Sequence, residues 1–260
     1  GKFAHSGMSM LLMNPMNHRL IDIIKSRQSR SLYLYFLSHF SAKARNSVRL
    51  VVVDLFQPYR RLIHDVFPNA IIVADHFHVV AQAYRAVQQV RIKVMKDYGS
   101  GTHEYKALKH FWKLLLQPIE QLDFGHYYRR RNFGYCQLSN SEVVDRLLAM
   151  SSELSTAYKY YQTLVNAVDN GSVTELNRLL SITWTALPGP FQKVQRTLRS
   201  HKQEIINSFA YGLTNGVIEG TNNKIKVIKR TAFGFRNFYN FRLRILLACS
   251  TSFLPKQKTA

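Results

Sequence analysis

Residues 71–80 read I-I-V-A-D-H-F-H-V-V, and residues 50–54, L-V-V-V-D, show the same arrangement earlier in the chain. In both stretches a short, largely β-branched run ends abruptly in a carboxylate. Such runs are typical of strands buried in a sheet. Asp54 and Asp75 are therefore predicted to stand at the carboxyl ends of two buried strands.

The segments around these two strands predict an α/β fold. Residues 8–14 and 19–24 have the composition of two further strands joined by a turn. Residues 29–40 and 59–66 repeat apolar residues at helical spacing. The order strand, strand, helix, strand, helix, strand is typical of a mixed sheet with helices packed on it.

The strand pattern disappears after residue 80. Residues 80–95 show the pattern of an amphipathic helix, and Ser-x-x-Glu capping boxes begin at Ser139 and Ser172. Residues of about 100–205 are therefore predicted to form an all-helical insertion that adds no strand to the sheet. The predicted domains are residues 1–98, the first part of the core; 99–205, the helical insertion; and 206–260, the C-terminal part of the core.

The overall charge points to a polyanionic partner. The chain of 260 residues has 36 Lys and Arg against 15 Asp and Glu, a formal net charge of +21. This balance favours nucleic acid over a ribosomal or membrane-surface role.

The apolar runs are too short to span a bilayer, and Cys136 and Cys249 lack the spacing of a zinc ribbon. We expect a cytoplasmic protein without a membrane partner, and, because the chain does not begin with Met, a piece of a longer one.

The stretch T-N-G-V-I-E-G-T-N-N-K-I-K-V-I-K-R-T at residues 214–231 predicts a helix with a single carboxylate, Glu219. At about 100° per residue, Glu219 shares a face with Asn223, Lys226 and Arg230 and lies opposite the apolar residues. This places one acid on a basic, outward face. The simpler alternative is an exposed glutamate in a first helical turn, where the helix dipole favours negative charge.

The aspartates that end the two strands are candidates for metal binding. Carboxylates at strand ends can hold Mg²⁺ while substrate oxygens complete its coordination, and paired ions support phosphodiester chemistry. The alternative is that each Asp caps the helix that follows it. His76 and His78 form an H-x-H pair, which is a weak zinc signal. His78, three residues after Asp75, is better interpreted as an orienting or protonating group beside the carboxylates.

Two basic segments are candidates for DNA contact. The helix at 214–231 would hold the phosphate backbone without reading bases. The arginines within F-G-H-Y-Y-R-R-R-N-F-G-Y would form a second surface, whose aromatics can stack on unpaired bases. In both segments ordinary solvated charge is the alternative. The candidate residues are Asn222, Asn223, Lys224, Lys226, Lys229, Arg230, Arg129, Arg130 and Arg131.

Three motifs, in this order and spacing, resemble those of bacterial insertion-sequence transposases of the insertion-sequence L-three family. They are D-L-F-Q-P-Y at 54–59, F-P-N-A-I-I-V-A-D-H-F-H-V-V at 67–80, and N-G-V-I-E-G-T-N-N-K-I-K-V-I-K-R-T-A-F-G-F-R-N-F at 215–238. The resemblance covers nearly the whole chain. It implies a ribonuclease H-like mixed sheet flanked by helices, with the all-α insertion before the last catalytic helix.

The same resemblance implies an activity and its requirements. The activity is transposition of an insertion sequence by metal-dependent phosphodiester hydrolysis and strand transfer, with an Asp-Asp-Glu triad and two Mg²⁺ or Mn²⁺ ions. The implied partners are DNA, as insertion-element ends and target, and a second copy of the chain in a synaptic homodimer. The implied location is the bacterial cytoplasm, at the nucleoid.

Carried over residue by residue, Asp54 resembles the second triad aspartate and Glu219 the triad glutamate, both as metal ligands. Asp75 and His78 resemble the supporting D-x-x-H motif. The first triad aspartate is expected before Met8 in an Asp-Glu-Phe context, and no Asp precedes Asp22 in this chain. Asp22 is expected to be a structural strand residue instead. The zinc-binding and helix-turn-helix segments of such transposases are also missing, so we expect the chain to be inactive alone.

Two other functions stay open at this point. A catalytically inactive transposase remnant that only binds DNA would account for the missing aspartate. Another ribonuclease H-like nuclease, such as a junction resolvase, would use similar strand-end carboxylates, but the long helical insertion before Glu219 counts against it.

Overall fold

The computed structural model describes residues 9–213 and 216–249. The chain divides into two compact units. The core unit comprises the described residues up to Asp75 and from Gly212 onward, and the helical unit comprises His76–Tyr211.

The core unit has two pairs of short strands and is of the predicted α/β class. The antiparallel pair β1–β2 carries a register shift between Leu12 and Met13. The parallel pair β3–β4 is in regular register, with Leu50 opposite Ile71. The elements of this unit are β1 (Met10–Met13), β2 (Leu20–Ile24), α1 (Ser29–His39), α2 (Ala42–Asn46), β3 (Leu50–Val53), α3 (Gln57–Val66), β4 (Ile71–Ala74), α11 (Gly216–Thr231) and α12 (Phe238–Cys249). Met8, where the first strand was predicted to begin, lies outside the described residues.

Among the described residues the predicted mixed sheet is present as two separate pairs, one antiparallel and one parallel, and no backbone ladder joins them. The pairs are connected through side chains instead. Strands of four or five residues offer few backbone bonds, and packing compensates. One apolar cluster is built around α1 and α3, where apolar residues at helical spacing face the strands. Its strand residues are Met10, Leu12, Ile24, Val51, Val53 and Ile72.

The opposite face of the β1–β2 pair packs on the two C-terminal helices. Leu20 and Ile23 of β2 are buried with Ile245 of α12. Ile225 and Ile228 of α11 pack against this second cluster. Because neighbouring β1 residues point to opposite faces, this short pair separates two apolar layers.

Asp22 is buried in the middle of β2 and has three hydrogen-bond donors. The Arg242 Nε atom donates to its Oδ1 at 2.5 Å, and the Tyr35 hydroxyl donates to its Oδ2. The backbone N–H of Ile23 donates to Oδ1 at 2.6 Å. Burial raises the pKa of Asp22, but the bonds from Arg242, Tyr35 and Ile23 outweigh it and hold the pKa below its ordinary value of 3.8. The predicted structural role of Asp22 is confirmed.

The helical unit departs from the all-helical prediction at one place. Residues 128–138 contain an antiparallel hairpin, β5–β6, because Gly134 and Tyr135 have left-handed φ values of 65° and 63° that reverse the chain. Among the described residues these strands pair only with each other. The elements are α4 (His76–Asp97), α5 (His103–His110), β5 (Tyr128–Arg130), β6 (Cys136–Leu138), α6 (Asn140–Ala149), α7 (Ser152–Asp169), α8 (Val173–Ser181), α9 (Gly189–Ser200) and α10 (Lys202–Tyr211), with single 3₁₀ turns at Leu114–Leu116, Ile119–Gln121, Arg131–Phe133 and Trp184–Ala186.

The unit boundaries lie at Asp75/His76 and Tyr211/Gly212, whereas the sequence placed them at 98/99 and 205/206. The reason is α4, whose buried face packs on α7 and α9 within the helical unit.

Ser139 forms the predicted capping box with Glu142. Over the described residues, the protein contains no helix with both the length and the hydropathy of a membrane span.

We predict that Asp22→Asn lowers the free energy of unfolding by about 2 kcal/mol at pH 7. The substitution removes a charge from a buried pair, and Arg242 stays partly solvated, which keeps the loss below that of a fully buried pair. The folded-state pKa of Asp22 lies below its unfolded value, so this stabilisation is present above the unfolded pKa and disappears as the pH falls through the folded pKa. Urea unfolding from pH 7 to pH 2 measures it.

Asp65→Asn, at an exposed position of α3, is the matched control and should change stability little at any pH. A difference between wild type and Asp22→Asn that stays constant down to the lowest pH would contradict the assignment.

Candidate active site

Asp54 and Asp75 follow the ends of neighbouring parallel strands. Val53 lies opposite Ala74 at the end of the β3–β4 ladder, and the Asp75 N–H donates to the Val53 carbonyl at 3.0 Å. The next residue of each strand is therefore the aspartate. Parallel register alone brings the two carboxylates to the same edge.

His78 joins these two residues because α4 begins directly after Asp75. Each of the three side chains offers one ligand atom, and these atoms all lie within 4.8 Å of one another. Asp75 is buried, His78 is half-buried and Asp54 is exposed. The structure thus brings together three of the four residues that the sequence proposed for catalysis.

The donor set fits a divalent ion. Mg²⁺ binds oxygen ligands at about 2.1 Å, so two ligands of one ion lie at most about 4.2 Å apart. The three ligand atoms, which all lie within 4.8 Å of one another, are close to this limit. Two carboxylates favour Mg²⁺ or Mn²⁺, and an imidazole is compatible with Mn²⁺. His76 is not a member of the cluster, so the H-x-H pair does not act there as a zinc-binding unit.

The alternative that both aspartates are helix caps applies to only one of them. Asp75 immediately precedes His76, the first residue of α4, and so holds the N-cap position. Asp54 does not, because α3 begins at Gln57 and its N-cap residue is Phe56. Asp54 therefore lies at a strand end for a reason other than capping this helix.

Glu219 lies exposed in the first turn of α11, as its spacing predicted. It is not a member of the Asp54–Asp75–His78 cluster, so its approach to Asp54 stays a prediction. The apolar side of α11 is fixed by Ile225 and Ile228, which pack on the second cluster of the core unit.

The amide and basic residues of α11 are exposed, but one of them has a structural role that the sequence did not reveal. The Lys224 ammonium donates to the carbonyl of Ala248 in the last turn of α12, where a positive charge complements the helix dipole. Lys226 bonds to Asn223 at 3.3 Å in its own helix. All six candidates for DNA contact on α11 are exposed: Asn222, Asn223, Lys224, Lys226, Lys229 and Arg230.

The three arginines of the β5–β6 hairpin are not equivalent. Arg130 donates to the Asn140 side chain at 2.6 Å and its guanidinium lies over the rings of Tyr128 and Phe111. It therefore holds the hairpin in place. Arg129 and Arg131 are exposed, and Arg129 stacks on Tyr135 at 4.9 Å.

Comparison with known proteins gives a consistent family. The DDE_Tnp_ISL3 family model, described as Transposase, matches residues 2–245. The transposase for insertion sequence element IS1001 of Bordetella parapertussis is 25% identical over 92% of this chain and 56% of its own length. The transposase for insertion sequence element IS1557 of Mycobacterium tuberculosis is 23% identical over 84% of this chain and 51% of its own length.

A further relative has a different name. A Lactococcus lactis protein called ATP-dependent protease is 38% identical over 73% of this chain and 58% of its own length. The present sequence has no G-x-x-x-x-G-K-[S/T] phosphate-binding loop, so nothing in its motifs adds weight to that name.

The chain spans slightly more than half the length of these relatives. No solved structure matches it significantly. The family match extends over the strand-end aspartates, the helical unit and α11. The chain therefore belongs to the ISL3 family of transposases.

Proposed function

We propose that this chain is the catalytic region of a DNA transposase that moves an insertion sequence by metal-dependent phosphodiester hydrolysis and strand transfer. The observation that carries the proposal is the convergence of Asp54, Asp75 and His78 at adjacent strand ends in a chain of net charge +21. A ribonuclease H-like core with an Asp-Asp-Glu triad is the architecture that this arrangement favours.

In this proposal Asp54 and Glu219 hold Mg²⁺ or Mn²⁺, with Asp75 and His78 beside them. The bound ions supply charge neutralisation at the scissile phosphate and a more acidic attacking water or 3′-hydroxyl. Asp75 stabilises the start of α4 and thereby orients His78. The imidazole of His78 accepts or returns a proton next to the carboxylates.

DNA is the proposed substrate in two forms, the ends of the insertion element and the target. The exposed cations of α11 hold the phosphate backbone beside Glu219. Two ends must be held together for strand transfer, so we propose that a homodimer forms the synaptic complex at the bacterial nucleoid.

A DNA-binding protein without strand-transfer activity is the second candidate. It is favoured by the exposed cations of α11, which can hold DNA whether or not the strand-end cluster is catalytic. The contacts of Asp22 with Arg242 and Tyr35 give this residue a structural role in the core.

We predict that Asp54→Asn weakens Mn²⁺ binding by at least about tenfold, because it removes a charged oxygen ligand. Calorimetric titration of the purified chain measures this directly and requires no DNA. Glu219→Gln should produce a loss of similar size if its carboxylate shares the ion. Asp65→Asn is the control for a lost surface charge.

Equal Mn²⁺ affinity in Asp54→Asn and wild type would remove Asp54 from the metal site. An effect in Asp54→Asn together with none in Glu219→Gln would leave the strand-end cluster as the metal site without Glu219. In either case the triad assignment would be wrong.

We also predict that replacing Lys226 and Arg230 by Ala weakens duplex binding about uniformly across DNA sequences. The slope of log affinity against log salt should flatten by nearly one unit for each lost phosphate contact. Lys193→Ala with Lys202→Ala removes the same charge from exposed positions of the helical unit and is the matched control. If both double variants flatten the slope equally, the effect comes from net charge, and α11 is not the DNA-binding face.

A further inference from the structure

The region around the β5–β6 hairpin combines exposed aromatic rings with basic residues. Residues 124–138 read F-G-H-Y-Y-R-R-R-N-F-G-Y-C-Q-L and contain no acidic side chain. Four large aromatic residues of this stretch are exposed although the helical unit has a well-packed interior. They are Phe124, Tyr127, Tyr128 and Tyr135.

The ladder register divides the hairpin into two faces. Tyr128 pairs with Leu138. Arg130, two residues after Tyr128 on the same strand, lies on the same face of the hairpin as this pair. Leu138 is buried and Arg130 half-buried, so this side packs on the helical unit. Side chains alternate along a strand, which turns Arg129 and its cross-strand partner Gln137 outward.

The packed face keeps the hairpin rigid. Arg130 bonds to Asn140 at its base. Phe133 stacks on Phe111 with ring centroids 5.9 Å apart, and the Arg146 guanidinium lies over the Phe133 ring. The exposed rings are therefore presented by a fixed support, and ordering them costs little conformational entropy on binding.

The outward face places a cation directly against an aromatic ring. The Arg129 guanidinium lies 4.9 Å from the centroid of the Tyr135 ring, which is 53% exposed. Tyr127, 57% exposed, lies two residues before Arg129. The adjacent helix α5, which contacts the 131–133 turn, adds the exposed Lys106 and Lys109.

These groups match the requirements of an unpaired nucleotide. A base needs a planar ring or guanidinium on which to stack, and its phosphate needs a nearby cation. Duplex DNA offers its phosphates but hides the faces of its bases within the helical stack. An acidic protein segment would pair with the basic side chains but would leave the aromatic rings exposed to water.

We propose that the outward face of the β5–β6 hairpin, formed by Tyr127, Arg129 and Tyr135, binds unpaired DNA bases by stacking. The inference rests on the proposed function for its substrate, because a cut DNA end presents terminal nucleotides that can leave the duplex. Arg130 takes no part in this contact and serves to hold the hairpin.

The test compares single-stranded with duplex DNA. Fluorescence anisotropy with a labelled oligothymidylate of about 15 nucleotides, within the range of single-strand site sizes, measures affinity for the purified chain. A blunt duplex of equal length is the second probe. The double variant Tyr127→Ala/Tyr135→Ala should lose about tenfold or more in affinity for the single strand and less than about twofold for the duplex.

Conservative variants separate stacking from charge and from folding. Tyr127→Phe/Tyr135→Phe keeps both rings and should bind the single strand like wild type. Arg129→Lys keeps the charge but loses the planar group, so it should weaken single-strand binding while the salt dependence stays the same. Unchanged unfolding midpoints establish that each variant is folded.

Three results would overturn the proposal. They are equal losses on single strand and duplex, an unchanged single-strand affinity in the double Ala variant, and a loss in the Phe variant as large as in the Ala variant. The α11 variants Lys226→Ala/Arg230→Ala distinguish this failure from failure of the proposed function. If they lose duplex affinity while the hairpin variants lose nothing, DNA binding stands and only the stacking surface is wrong.

Discussion

The carboxylate of Asp22 connects three elements of the core unit that lie far apart in sequence. It is buried in β2 and receives hydrogen bonds from α1 through Tyr35 and from α12 through Arg242. A buried charge without partners is expensive, so β2, α1 and α12 must stay together for this residue to be stable. The helix α11, which carries Glu219, packs on the same apolar cluster as α12. The position of the proposed catalytic glutamate thus depends on an ion pair that contains no proposed catalytic residue.

The Asp54–Asp75–His78 cluster depends on a simpler constraint. Two parallel strands in register end at the same level, and the residue after each strand is an aspartate. The helix that starts after the second strand then determines where His78 lies. Each step is local in sequence, apart from the pairing of β3 with β4. This explains why three of the proposed catalytic residues could be predicted to be neighbours from the valine-rich runs that precede them.

The features that the sequence did not reveal all depend on distant partners. The strands β3 and β4, the helix α1 and the capping box at Ser139 follow from spacing and composition within about ten residues. By contrast, the hydrogen bond from Lys224 to the Ala248 carbonyl joins two helices. Nothing in the local sequence distinguishes Lys224 from the lysines beside it. Arg130 looks equivalent to Arg129 in a run of three arginines, yet strand alternation leaves Arg130 half-buried and Arg129 exposed. The association of α4 with the helical unit is likewise a property of packing, since its amphipathic pattern would suit either unit.

The order of the elements along the chain has a consequence for biosynthesis. The helical unit is one continuous segment, and it can fold as soon as it leaves the ribosome. The core unit is discontinuous, and the Asp22–Arg242 pair joins residues that are 220 positions apart. Until α12 emerges, Leu20 and Ile23 lack their packing against Ile245, and Asp22 lacks its cation. We expect a nascent chain that has not yet reached α12 to be recognised by chaperones and proteases, because its core unit still lacks Arg242 and Ile245.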